Sequence, residues 1–519
     1  MKKILSIILA GALAASVLAG CGGSGSSGGK EIKTIATSAD KSEESPEESS
    51  QAPEESVSDL GGFDGKDVSY VMIYNPSVYD AGAMISKSVS TGSLAEWIDP
   101  DMKRGGEVRE ESEYSFYDQP GVKELLGEMT VDDSGNRAGA VVPDYSKGDK
   151  QDFYYSVTLA ENEPVTKGSF ECAYSGDNCC MWTLKGETVD EQEAERIAKE
   201  FDAKIYGKDV EMFGTPRYAD EGGKVHLLFH PMTISTLGYF APKDIFNSSE
   251  IDDLTAAKYG ANRDHALIHV NSVYLGKNLD DLVCGTLAHE FQHLINASDM
   301  FPYLSRGFSS TWINESMSGY AEETQYPGVK DLEGHYEAFA QSDLIRHGQS
   351  LFNFTTDDSD IGVYGSVYLF SEYLSKLGGS DVFKKFHDYW RSSFSTTLTD
   401  AEALCNSVGS ESAGRISKAV SYPSSVVFTD TNEEWLSKLA LDFYLSMLRY
   451  DPSDPKAYEK VQAQTLLYDE INPAFIEGGG RIIAATKDGK FEIPGDAGKP
   501  LVYIGFDKDF NQVTDIICK

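Results

Sequence analysis

A chain of 519 residues, 40% of them apolar and 25% charged, is long enough for several domains and ordinary enough in composition to fold. Its charge is less ordinary, since 45 Lys plus Arg stand against 83 Asp plus Glu and leave −38. A field of that sign excludes nucleic acid and an anionic membrane surface as docking partners, because their phosphates would be repelled.

The first twenty residues read as an export signal. Lys2 and Lys3 precede an apolar run from Ile4 to about Val17, too short and too rich in small residues for a durable transmembrane helix. The ending Leu18-Ala19-Gly20-Cys21 resembles a bacterial lipobox, which implies cleavage before Cys21 and a lipid on that thiol. The expected location is the bacterial cell envelope, lipid-anchored on the extracytoplasmic side. Residues 21–60 are rich in Gly, Ser, Glu and Pro, bury too little to fold, and read as an acidic, charge-extended tether. Six cysteines follow Cys21, and Cys172 with Cys179 or Cys180 would close a short loop across a hairpin, with the pairing left open.

Residues 61–187 carry short aromatic and β-branched runs ("DVSYVMIYNP", "QDFYYSVTLA", "GSFECAYSG", "CCMWTLKG") broken by Gly, Asp and Asn, and read as a β-rich accessory domain. Residues 188–453 are expected to be the catalytic domain. Asp190 and Glu193 make a capping-box-like start, and Ala194, Ile197, Ala198, Phe201 and Ile205 repeat on one helical face. Two buried strands, "GKVHLLFHPM" and "DHALIHVNSVYL", are separated by the Gly-, Pro- and Asn-bearing "STLGYFAPKDIFN". Beyond Asp280 the spacing turns helical, through "DLVCGTLAHEFQHLINAS", "NESMSGYAEETQ", "VKDLEGHYEAFAQSDLIRHG", "GSVYLFSEYLSKL" and "NEEWLSKLALDFYLSMLRY". Residues 454–519 end in strand-like pieces. The fold class expected is α+β, with a β-rich stretch before and after the catalytic domain.

In "TLAHEFQHLINASDM" the helical spacing gathers Val283, Leu287, Phe291 and Leu294 on one face and His289 with His293 on another. Two imidazoles one turn apart suit one Zn²⁺, and Glu290 flanks them within reach of a water whose proton it would take as general base. Zinc needs a third protein ligand and an open position. No third histidine follows closely. Asp299 is too near along the same helix, whereas Glu315, 22 residues after His293, allows a helix, a loop and a returning helix.

Glu315 in "WINES" resembles the gluzincin pattern, where a Glu from a second helix completes the site. The hairpin around Cys179 and Cys180, with "AKEFDAKIYGKDVEMFG", "GYFAPKD", "LAHEFQHLIN", "WINESMSGYAEE" and "YGSVYLFSEYL", occurs in an order that is similar to the hyicolysin-type metallopeptidases, from about Ser169 to Leu377. The resemblance implies a zincin-like catalytic domain, zinc held by His289, His293 and Glu315, and Glu290 as base. One departure stands out: where the thermolysin pattern has a supporting carboxylate four residues after the third ligand, this chain has Gly319, leaving Ser318, Asn296 or Glu322 for that role. For the oxyanion, Tyr364 before Gly365 looks similar to the tyrosine of the aminopeptidase branch, with Tyr320 as runner-up.

His226, His230, His265 and His269 fall on or beside the strands before the metal helix, where they line the cleft or are satisfied within the fold, and His335, His347 and His387 read as surface. The expected function is a zinc-dependent endopeptidase acting on protein or peptide substrates, and a monomer is expected. A binding lipoprotein with a degenerate metal site and a zinc aminopeptidase are the alternatives. The first would show repeated β-α alternation, and the second a "G-x-M-E-N"-like strand, neither of which is found.

Overall fold

The computed structural model describes residues 67–78, 144–157, 166–187, 189–216, 223–233, 237–248, 252–276, 280–300, 311–327, 351–352, 361–392, 400–448, 480–484, 501–509 and 511–518. Cys21, the export signal, the tether, His335, His347 and the helix expected over 329–348 lie outside them.

The fold is mixed α+β, as expected. One six-stranded sheet runs β2 (Lys150–Tyr155), β3 (Thr166–Ser175), β4 (Cys179–Leu184), β5 (Val225–His230), β7 (Ala266–Asn271), β6 (Gly238–Phe240). Its first three strands are antiparallel hairpins, β4–β5 and β5–β7 are parallel, and β6 closes one edge antiparallel to β7. A second sheet pairs β1 (Tyr70–Tyr74) with β8 (Gly480–Ala484) and β9 (Val502–Phe506), and β9 with β10 (Ile517–Cys518).

The strands therefore do not segregate along the chain as their order suggests. β4 pairs with β5 across the boundary expected at residues 187 and 188, and β1 pairs with strands beyond residue 454. Alternation reveals which face of a strand is buried but not which strand it meets, so partners distant in sequence stay hidden. Likewise "GYFAPKD" holds the edge strand β6, too short at three residues for any periodicity.

Between β4 and β5 run α1 (Glu191–Glu200), a π-helical turn (Phe201–Ile205) and α2 (Tyr206–Phe213). Asp190 caps α1 by accepting from Glu193 N at 3.1 Å, the first half of a capping box, and Glu191 and Glu193 favour its positive end. All five apolar positions of the expected stripe are buried. The π turn matters to the next layer. In a regular helix, positions 201 and 206 point well apart, but the wider i→i+5 turn brings them together, and both rings pack on Phe291, Phe201 edge-on at 5.2 Å and Tyr206 stacked at 5.3 Å.

After α3 (Asp253–Tyr259) and β7, the chain enters α4 (Asp280–Met300), α5 (Thr311–Gln325), α6 (Ile361–Gly378), α7 (Val382–Ser392), α8 (Asp400–Ala419) and α9 (Thr431–Leu448). Leu227, Phe229, Ile268 and Val270 belong to the large core that these helices share, with Leu287, Phe291, Leu294 and Trp312. The opposite sheet face buries Phe153, Phe170, Trp182, Leu228 and Leu267. Cys172 and Cys180 lie on that second face and Cys179 on the helical one, all as free thiols.

Candidate metal centre

Helix α4 begins with Asp280 and Asp281, whose charges suit its positive end. It is buried on every side at the motif, since His289, Glu290 and His293 are 6%, 2% and 3% exposed. An amphipathic helix with a solvent-facing polar side is thus not what forms. The polar side faces α5 instead.

Glu315 rises from the first turns of α5 between the two imidazoles. Its Oε2 lies 3.5 Å from His289 Nε2 and its Oε1 3.5 Å from His293 Nε2, while the rings stand 4.8 Å apart at 83°. One donor atom from each residue falls within 4.8 Å of the others, the single such group of three among the described residues. Around an ion with bonds of about 2.0–2.1 Å, a tetrahedron has edges of about 3.3 Å, so the two 3.5 Å separations of Glu315 from the imidazoles already suit zinc, and the donor set, within 4.8 Å overall, would close in on the ion by side-chain rotation. His293 Nε2 is buried and makes no hydrogen bond, a cost of about 1–3 kcal/mol that a bound cation would remove. The three sequence-expected ligands meet, and they fit a metal.

The electrostatics agree. Burial alone would lower His289, but the carboxylates of Glu315 and Glu322 outweigh it and lift the ring to about 9. Burial takes His293 down to about 4, with Glu315 opposing. The pocket therefore favours a positive charge at His289, the need that a cation also meets.

Of the three candidates for the supporting role, Glu322 is the one placed beside the imidazole, with Oε2 3.4 Å from His289 Nδ1. It follows Glu315 by seven residues, two helical turns, and so returns to the same face. Gly285, one turn before His289, makes the room: a Cβ there would sit 3.2 Å from Glu322 Cγ. Gly319, by contrast, faces Tyr368, so a carboxylate at that position would be aimed at α6 rather than at the histidines. The other two candidates serve differently. Ser318 Oγ donates to Glu315 O at 3.2 Å within its helix, and Asn296 Nδ2 donates to Asn314 Oδ1 at 2.8 Å, Asn314 being the residue that faces His293. Behind them Gln325 Nε2 donates to the buried Asp209 of α2, a carboxyl pushed up by burial. Asp209 and Gly285 escaped sequence reasoning, although the spacing of four between Gly285 and His289 was a usable signal.

Glu290 points to the sheet edge. Its Oε2 accepts from Phe240 N of β6 at 2.8 Å, and burial raises the carboxyl to about 7, with Glu315 and Glu322 adding and His289 opposing. Gly238 lets β6 lie this close, since a Cβ there would be 2.8 Å from His269 O and 3.1 Å from Thr286 Cγ2.

The remaining expectations divide. Tyr364 stands in the first turn of α6, and its side chain is outside the described residues. Tyr320 is turned away, with its hydroxyl 2.9 Å from Ser375 Oγ and its ring against Phe383, because five residues of helix rotate it off the face of Glu315. Asp299 binds Arg391 (Nε to Oδ1, 2.9 Å) and His387 Nδ1 (2.7 Å) at the far end of α4. His387 is thus buried between helices, not at the surface, a partnership no local spacing could reveal. His226, His230, His265 and His269 are buried, the first and third against Tyr145 and Phe153 and the other two bonded to each other.

No protein-family profile matches the chain. Over 248 residues it is 30% identical to the neutral metalloprotease ShpI of Staphylococcus hyicus, an alignment covering 45% of this chain and 53% of that protein. The chain thus spans about half the length of the curated relative it matches. The likeness, together with the cluster of His289, His293 and Glu315, supports a metal-dependent protease.

Proposed function

We propose that the chain is a zinc-dependent endopeptidase of gluzincin-like type, acting on protein or peptide substrates outside the cytoplasm from a lipid anchor at Cys21. The observation that carries this reading is the placement of Glu315 at 3.5 Å from the Nε2 atoms of both motif histidines. His289, His293 and Glu315 would hold zinc, and zinc when bound supplies a Lewis acid that acidifies water and polarises a peptide carbonyl. Glu290 is the base. Its Oε2 is engaged by Phe240 N–H, so Oε1 takes the proton from the attacking water and returns it to the departing amine. β6 is the outer strand beside this carboxylate, and an extended peptide pairing along it would bring its carbonyls past Glu290. Tyr364 is the proposed oxyanion donor.

The complete base-plus-ligand set favours an enzyme over a binding protein with a degenerate site. Metal analysis of the purified chain, coupled to cleavage of a peptide library with and without chelator, tests the reading. One zinc per chain and chelator-sensitive internal cleavage are expected, whereas a metal-free active protein would overturn it. Glu290→Gln should retain zinc and lose at least ~10²-fold in kcat.

A further inference from the structure

Behind the sheet edge lies a chain of buried polar groups outside the cluster of His289, His293 and Glu315. Asp244, in the single turn Pro242–Ile245 just after β6, has Oδ2 3.1 Å from His269 Nε2 on β7. His269 Nδ1 is 3.1 Å from His230 Nε2 on β5, and His230 Nδ1 is 3.2 Å from Pro231 O. Asp244 Oδ1 accepts from Asn262 N at 2.8 Å and Asn262 Nδ2 at 3.2 Å. The ring of Tyr239, in the middle of β6, lies flat on His269 at 4.1 Å and 9°, and its hydroxyl accepts from Ser156 N at 3.1 Å. Asp244, His230 and His269 are at most 1% exposed.

Burying a carboxylate and two imidazoles is costly, and well-packed apolar residues in such a place are often as stable or more so. What the polar chain supplies is a fixed position. It pins β6 from behind, through the Tyr239 ring and through Asp244 at the end of the strand. From the front, β6 is pressed on α4 at Gly238 and offers Phe240 N to Glu290. We infer that Asp244, His269 and Tyr239 are positioning residues that set the placement of the base by fixing β6. The inference rests on the proposed role of Glu290.

A proton count tells the variants apart. Three hydrogen bonds link Asp244, His269, His230 and the Pro231 carbonyl, and two neutral imidazoles supply only two protons, so with Asp244 ionised all three can form at once only if one more proton is present. In Asp244→Asn the amide Nδ2 donates to His269 Nε2, His269 Nδ1 then donates to His230 Nε2, and His230 Nδ1 donates to Pro231 O, while Asn Oδ1 still accepts from Asn262. The geometry survives with no extra proton. Asp244→Ala has no such remedy.

The test measures kcat, KM and zinc content for the zinc-loaded chain, with these two variants and Tyr239→Leu, which removes the ring from His269. Asp244→Ala and Tyr239→Leu should lose kcat, by up to about 10²-fold for a base displaced by about 1 Å, with zinc content unchanged and KM close to the parent. Asp244→Asn should recover most of the loss. A parental kcat in Tyr239→Leu, or in a folded Asp244→Ala, overturns the inference, as does an Asp244→Asn variant no better than the alanine. Zinc loss in parallel with activity would make the chain a support of the metal ligands and overturn it too. A parent protein without chelator-sensitive cleavage removes the proposed function and this inference with it.

Discussion

Replacing Glu322 by Gln keeps the shape of the side chain and removes its charge from beside His289 Nδ1. Two unit charges at the observed 3.4 Å interact by about 5 kcal/mol at an effective dielectric of about 20, an upper bound. An imidazole bound to zinc carries only part of a charge, and burying the carboxylate has already cost several kcal/mol, so the net effect is a fraction of that figure. About 1.4–2.8 kcal/mol is a reasonable share, which is the 10–100-fold weakening found when partners of metal-bound histidines are removed. Zinc affinity, measured by competition with a chelator of known affinity, should therefore fall by about that factor. An affinity within about threefold of the parent would refute the role of Glu322, because no other described carboxylate is placed on that nitrogen.

Gly285→Ala approaches the same contact from the other side. Alanine gains up to about 1 kcal/mol in helix propensity, yet its Cβ meets Glu322 Cγ at 3.2 Å, so zinc affinity should fall in a protein of unchanged or higher melting temperature. Asp299→Ala strands Arg391 and the buried His387, and unfolding in urea should show a loss of about 3 kcal/mol, with a loss under 1 kcal/mol counting against a buried triad. Burial holds His226 and His230 well below the ordinary histidine range, so the unfolded chain binds more protons than the folded one once pH falls below about 6.5. Their stabilisation is complete above that pH and is lost progressively below it. Between pH 7 and pH 5 the parent should therefore lose stability relative to His226→Gln, which lacks one of these two groups.

How much of this was legible depended on distance along the chain. His289, Glu290 and His293 share one helix, so a period of 3.6 places them, and Glu315 was within reach because a single helix–loop–helix return links it to them. The capping of α1 by Asp190 is local in the same sense. Glu322 was one of three candidates, and only the relative placement of α4 and α5 selects it. The burial of the histidine face of α4 was not legible for a related reason. Its polar side is as buried as its apolar side, since a wheel registers contrast between faces and not which neighbour covers them.

The edge strand shows the limit most plainly. Three residues, Gly238 to Phe240, carry no pattern, yet each has a task set by a different partner. Gly238 permits contact with α4, Tyr239 lies on His269, and Phe240 N holds Glu290. Side chains of consecutive strand residues alternate between faces, so Tyr239 can be gripped from behind while its neighbours face the metal helix. In the proposed site the ligands stand on two helices and the base is steadied by a sheet. Metal binding and proton transfer can then be perturbed separately, by Glu322 for the first and by Tyr239 for the second.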